Sequence, residues 1–288
     1  MSIDPTLPTL AAAGGFGAIV GSFLNVVIHR VPARIAHQAG IERGEIRADA
    51  PMPDGIVFPG SRCPQCGEAI RGYDNIPVLS WLILRGRARC CGASISAQYP
   101  FVEMAMAVLA VIVAALFGPT AYGVAFGGVT ALLLAMSVID ARTQYLPDCL
   151  TLPGVWLGLL VAALLPDTSV TAASAIIGAA CGYGVLWTIN AGYRLIRGVD
   201  GLGGGDFKLF ALIGAWGGVG ALNATLILAP LTALLIVLIR TPREGLHGQT
   251  AIPFGPYLAI AGWASVVITT TRPDGIVQAI RNIGILGF

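Results

Sequence analysis

Charge is what this sequence has least of. Asp, Glu, Lys and Arg make up 11% of its 288 residues, against 56% hydrophobic. A soluble domain of this size carries about 25% charge, so an ordinary water-soluble fold is excluded for most of the chain. Lysine is nearly missing: Lys208 is the only one. Histidine is scarce too, and His29, His37 and His247 lack any spacing that would pair them as metal ligands. They are expected to be polar interfacial residues. No basic stretch precedes the first apolar segment, where Asp4 is the sole charge, so that segment is expected to be retained as a span rather than cleaved. Internal repeats and low-complexity linkers are absent, and nothing points to nucleic acid as a partner.

What is present is a series of apolar stretches of membrane-spanning length, joined by short charged segments. They fall at about 9–29, 100–117, 121–139, 151–166, 170–193, 208–221, 223–240 and 252–270. The expected fold is therefore all-α and polytopic, with about eight transmembrane helices. Residues 30–99 interrupt this pattern with ordinary polar sequence and form an insert between the first two helices. The divisions expected are a first helix over 1–29, the insert over 30–99, a membrane core over 100–270 and an extracytoplasmic tail over 271–288.

Arginine sets the orientation. With the N-terminus outside, Arg30, Arg34, Arg43, Arg47, Arg62, Arg71, Arg85, Arg87, Arg89, Arg142, Arg194, Arg197, Arg240 and Arg243 fall inside with Lys208. Only Arg272 and Arg281 fall outside. An even number of spans puts both termini outside and the insert in the cytoplasm.

Six cysteines occur. Cys149 and Cys181 lie in or beside spans and are expected to be buried, inert thiols. The other four lie in the insert. Cys63-Pro64-Gln65-Cys66-Gly67 has the spacing of a zinc knuckle, in which two thiolates face one metal. Its partner, Ala88-Arg89-Cys90-Cys91-Gly92, is irregular, because a C-x-x-C-G pattern would need cysteine at 88. Structural zinc held by Cys63, Cys66, Cys90 and Cys91 is the expected use. A disulfide or free thiols are the alternatives, and a reducing cytoplasm disfavours the disulfide.

Ionisable residues at span ends need an account. Asp140 ends the third span, Asp148 follows in Leu146-Pro147-Asp148, and Asp206 opens the sixth in Gly201-Leu202-Gly203-Gly204-Gly205-Asp206-Phe207-Lys208. All three reach the cytoplasmic face on this topology. Two carboxylates brought together there could form a peptidase dyad, one activating water and the other polarising a carbonyl. The glycines would then free the backbone and leave a side-chain-free edge for an extended peptide. Lys208 would pair with a carboxylate or a lipid phosphate. The spacing leaves simpler readings open. Asp206 could be only a helix N-cap, Asp140 could pair with Arg142, and Asp148 could cap the fourth span. A phosphate cradle is disfavoured, since no strand precedes the glycines. A cation-coupled carrier or a zinc-bearing scaffold would be the rival functions.

Several motifs in order carry a resemblance. Gly21-Ser22-Phe23-Leu24-Asn25 with Arg30-Val31-Pro32, the Cys63–Gly67 knuckle followed by Asn75-Ile76-Pro77-Val78-Leu79-Ser80-Trp81, and Tyr99-Pro100-Phe101-Val102-Glu103 come first. Asp140 with Leu146-Pro147-Asp148, Gly203-Gly204-Gly205-Asp206-Phe207-Lys208 and Pro253-Phe254-Gly255-Pro256-Tyr257 follow. Together they resemble the bacterial type IV prepilin peptidases, inner-membrane aspartyl peptidases that are also N-methyltransferases. The resemblance implies Asp140 and Asp206 as the catalytic pair. It also implies a prepilin or type II secretion pseudopilin as substrate, and S-adenosylmethionine as methyl donor. Gly203, Gly204, Gly205, Lys208 and Asp148 are the expected substrate contacts, and membrane lipid the other partner. Ala88 departs from the family's second cysteine pair, with Cys90 the available replacement. Within the dyad, Asp206 at a helix start is expected to be the ionised base, and Asp140 at a helix end the proton carrier.

Overall fold

The structure, a computed structural model, describes residues 6–166, 168–244 and 253–271. His247, Arg272, Arg281 and the rest of the tail lie outside these residues, as do the side chains of Arg240 and Arg243. Among the described residues the chain is helical, apart from loops and two isolated bridges in the insert. It divides into two compact units, Met1–Pro119 and Thr120–Phe288.

In the first unit, α1 (Leu7–Glu42) and α3 (Gln98–Phe117) pack together, and the short α2 (Leu79–Ile83) belongs to the insert between them. Gly17 and Gly21, four residues apart, let α1 approach α3 closely. A Cβ at Gly21 would lie 2.6 Å from the Glu103 backbone. Small residues at this spacing are how membrane helices gain contact where lipid supplies no hydrophobic drive. Helix α1 runs past the expected end at 29 to Glu42, projecting 13 residues beyond the predicted span. Two arginines from this extension hold the insert's loop: Arg30 donates to the carbonyls of Gly55 (2.6 Å) and Pro59 (2.8 Å), and Arg34 to that of Pro53 (3.0 Å).

The second unit contains α4 (Ala121–Thr143), α5 (Asp148–Leu164), α6 (Ala172–Arg197), α7 (Gly204–Glu244) and α8 (Gly255–Thr270). Thr120 and Thr171 cap α4 and α6 by accepting the N–H of the third residue on, at 3.0 and 3.2 Å. Phe126, Trp216 and Trp263 form the aromatic centre, with ring centroids 5.6 and 6.1 Å apart. Both indoles find acceptors, Trp216 in the Gly154 carbonyl and Trp263 in the Thr130 hydroxyl. Helices α6 and α7 meet glycine to backbone: Gly178 abuts Gly214, and a Cβ on Gly182 would sit 2.6 Å from the Phe210 carbonyl oxygen.

Among the described residues, five helices are long and apolar enough to cross a membrane, and α5 and α8 are shorter apolar helices. This is a membrane protein. Helix α7 is broken at Gly218 (φ 62°, ψ −166°) into segments 204–217 and 219–244. The predicted division fell at 222. The break comes earlier because Gly218 holds a left-handed conformation that residues with a Cβ rarely adopt. Cys149 and Cys181, expected to be buried, are exposed. Their helices turn that face outward, where an apolar environment suits a thiol as well as a core does.

Candidate active site and metal centre

Helix α4 ends one turn after Asp140. Gln144 adopts a left-handed conformation (φ 53°) and returns its N–H to the Asp140 carbonyl at 2.8 Å. The Asp140 side chain, 5% exposed, accepts the backbone N–H of Gly255 at 2.9 Å. Gly255 is the first residue of α8, so the carboxylate rests on that helix's N-terminus. The expected electrostatic inequality of the dyad is therefore altered. The negative end of α4 and the positive end of α8 oppose each other at Asp140.

Asp206 is the third residue of α7 and 8% exposed. It is not an N-cap. Its carboxylate reaches back to the N–H of Gly203 at 3.2 Å, as the third helical residue does in a capping box. Asp140 and Asp206 interact electrostatically with each other. Two helix ends thus bring together carboxylates separated by 66 positions of sequence.

The glycines act differently from expectation. None of Gly201, Gly203, Gly204 and Gly205 has positive φ. Close approach is what two of them need: a Cβ at Gly205 would lie 2.7 Å from that of Leu146, and one at Gly201 would strike the Tyr193 ring at 2.8 Å. Gly204 faces open space and Gly203 has only the Asp206 carboxylate near it, so those two present a bare edge.

Lys208 and Asp148 form an ion pair at 2.6 Å, linking the first turns of α7 and α5. Asp148 is the first residue of α5, preceded by Pro147 at the cap position, so the capping alternative does not hold. Its side chain is 51% exposed.

Asn190 carries a role that sequence reasoning missed. It is 8% exposed, and its Oδ1 accepts the N–H groups of Gly201 (2.8 Å) and Leu202 (3.0 Å) while Nδ2 donates to Asp200 (2.9 Å). One side chain thereby fixes the loop that leads into Asp206. An asparagine within an otherwise apolar span was the available signal. Gly255 was also missed as a contact, although its motif was noted. A cavity of about 360 Å³ lies beside this loop, lined by Tyr183, Trp187, Asn190, Arg194, Asp200 and Lys208 among others.

In the insert, the sulfurs of Cys63, Cys66, Cys90 and Cys91 all lie within 4.8 Å of one another. Cys66 and Cys90 are 3.3 Å apart, Cys63 and Cys91 3.7 Å, and Cys90 and Cys91 3.9 Å. Tetrahedral zinc with bonds of about 2.3 Å requires sulfurs about 3.8 Å apart, so the cluster fits the ion. The two knuckles superpose residue for residue in their hydrogen bonds. The N–H of Cys63 meets the Glu68 carbonyl, as that of Ala88 meets Ala93. Gly67 returns to Cys63 as Gly92 returns to Ala88. Both glycines have positive φ, 74° and 70°. Ala88 thus occupies the missing cysteine's place, and Cys90, at the position of Gln65, supplies the fourth sulfur. The backbone N–H groups of Cys66 and Gln65 lower the Cys63 thiol to about 6. Cys90, sharing hydrogen bonds with Cys66 and Cys63, is pushed up to about 12. Four thiols crowded together hold protons that a metal would displace.

A helical membrane unit with two buried carboxylates at helix ends, joined to a four-cysteine insert, also has close relatives. The model of the bacterial peptidase A24 N-terminal domain matches residues 16–117, and that of the type IV leader peptidase family matches residues 127–238. The chain belongs to the type IV leader peptidase family. It is 43% identical over 272 residues to a protein of Burkholderia pseudomallei (strain 1026b) named prepilin leader peptidase/N-methyltransferase, covering 92% of this chain and 87% of that one. Proteins of the same name from Pseudomonas putida and Pseudomonas aeruginosa are each 43% identical, over 262 and 260 residues. The alignments cover 87% of this chain in both cases, and 88% and 87% of those proteins. No solved structure matches.

Proposed function

We propose that this protein removes the leader peptide from type IV prepilins or type II secretion pseudopilins and then N-methylates the new N-terminus. It would do so in the bacterial inner membrane, with the insert and both aspartates on the cytoplasmic side and the termini outside. The observation that carries the peptidase reading is the pairing of Asp140 and Asp206, each buried at a helix end and each held by one backbone N–H.

The chemistry follows from two carboxyls sharing one proton. The ionised carboxylate removes a proton from water as the water oxygen bonds to the scissile carbonyl carbon. The protonated partner gives its proton to the carbonyl oxygen. Collapse of the tetrahedral carbon breaks the C–N bond: the carboxyl that took the water's proton passes it to the leaving amine, and the hydroxyl formed from the carbonyl oxygen returns its proton to the other carboxylate. Gly203 and Gly204 offer the substrate's main chain an unobstructed edge, and Gly205 allows the Leu146 loop to close on it. Asp148 can receive a cationic leader residue by exchanging it for Lys208. A carrier would place its carboxylates near mid-span, whereas these lie in the last turn of α4 and the first turn of α7.

Zinc in the four-cysteine cluster would staple an insert too small to build a large core. S-adenosylmethionine would supply the methyl group. The insert has no glycine-rich strand-to-helix turn among its described residues, so no residue is assigned to that cofactor. Intact-mass spectrometry of a prepilin incubated with purified enzyme and S-adenosylmethionine tests the proposal. Loss of the leader and gain of one methyl are expected from the native enzyme, and no cleavage from Asp140→Ala or Asp206→Ala. Cleavage by either variant would sink the dyad.

A further inference from the structure

Helix α2 turns Leu79, Leu82 and Ile83 outward, 51%, 58% and 66% exposed, with Ile76 beside them at 46%. Positions i, i+3 and i+4 share one helix face. An apolar face on a water-borne insert calls for a covering partner.

Two ties fix where α2 lies. The first joins Val78, immediately before α2, to α3: its N–H donates to the buried Glu103 carboxylate at 2.7 Å. Val78 takes a strained positive φ of 61° at this point. Glu103 is five residues past the first residue of α3, hence about 7.5 Å along that helix. Helix α3 has 20 residues, a length of about 30 Å, which is the whole thickness of the hydrocarbon core. Val78 is therefore held beside the first turns of α3, at one end of a span-length helix. The second tie is at the other end of α2. The Trp81 indole donates to the Ile95 carbonyl (3.1 Å), and the Ile95 N–H to the Gly86 carbonyl (2.7 Å). Ile95 lies just before α3 begins. Helix α2 thus runs beside the entry of α3, at the end of a span-length helix, which is where amphipathic segments rest on a membrane. Exposed Arg85 and Arg87 follow it, placed for lipid phosphates.

We propose that α2 is a membrane-interface anchor: Leu79, Leu82 and Ile83 lie among lipid acyl chains at the bilayer edge and seat the zinc-binding insert on the membrane surface. This rests on α3 being a span, so the test examines both. The photoreactive residue benzoylphenylalanine is placed singly in the full chain at Leu82, at Ile83, at Val108 on the exposed side of α3, and at exposed Asp49 in the insert. Membranes are irradiated, and the purified protein is weighed intact, with zinc content measured to confirm folding. Lipid adducts at Leu82, Ile83 and Val108, several-fold above Asp49, are expected. Adducts to protein at Leu82 and Ile83, or none there while Val108 yields lipid, overturn the anchor alone. Failure at Val108 as well overturns the span on which it rests.

Discussion

Gly255→Ala tests the arrangement of the site most directly. The new methyl group would lie 2.7 Å from Asp140 Oδ2 and 2.9 Å from its Cγ. Carbon and oxygen in ordinary contact lie about 3.5 Å apart, so the carboxylate must retreat by roughly 0.8 Å. That retreat lengthens the 2.9 Å hydrogen bond from the residue 255 N–H. A hydrogen bond to a charged group contributes about 1.5–3 kcal/mol, and each 1.4 kcal/mol is about tenfold in rate. Displacing a catalytic group by about 1 Å costs about a hundredfold, so the two routes agree. The expected result is a 10- to 100-fold fall in kcat for prepilin cleavage with KM little changed, followed by mass spectrometry of timed samples. Thermal stability and zinc content should stay within error of the native protein. A kcat within twofold of native would refute the idea that the α8 N-terminus positions Asp140.

Cys90→Ala should lower zinc affinity at least tenfold, read by chelator competition, and Ala88→Cys in the same chain should restore it by rebuilding the regular knuckle; unchanged affinity in the single variant would remove Cys90 as a ligand. Asn190→Leu leaves two N–H groups without an acceptor, at about 1–3 kcal/mol each, and should lower kcat more than tenfold. The exchange Asn190→Asp with Asp200→Asn keeps both acceptor and donor and should recover most of it. Asp148→Ala and Lys208→Met break a half-exposed ion pair that contributes about 1 kcal/mol or less, so cleavage should persist within about tenfold. Complete loss would assign the pair a direct part in the chemistry. Gly204→Ala faces open space and should raise KM without unfolding, and an unchanged KM would argue against the bare-edge reading.

The sequence made the span pattern and both acids visible, because membrane burial forces long apolar runs and makes each charge conspicuous. Asp140 and Asp206 fell at helix ends as expected. What was hidden was whatever depends on backbone groups. The N–H of Gly255 on Asp140 has no signature in residue type, and neither does the shared hydrogen-bond pattern that lets Cys90 stand in for Ala88. Asn190 was legible as a polar residue in a span, but its partners lay in a loop 11 residues on. Cys149 and Cys181 were misplaced because hydrophobic residues of a membrane helix face lipid as readily as the core, so apolar character does not tell inside from outside.

Gly218 also decides a question of parity. As one straight helix, the 41 residues of α7 would be about 62 Å long, twice the hydrocarbon thickness. The first segment carries Asp206 in its first turn and ends with Gly217 against Val266 and Thr269, at the far end of α8. The chain must recross before α8 can begin beside Asp140. A single glycine therefore turns an odd number of crossings into an even one. Without it, the amide that holds one aspartate would emerge on the opposite side of the membrane from the other.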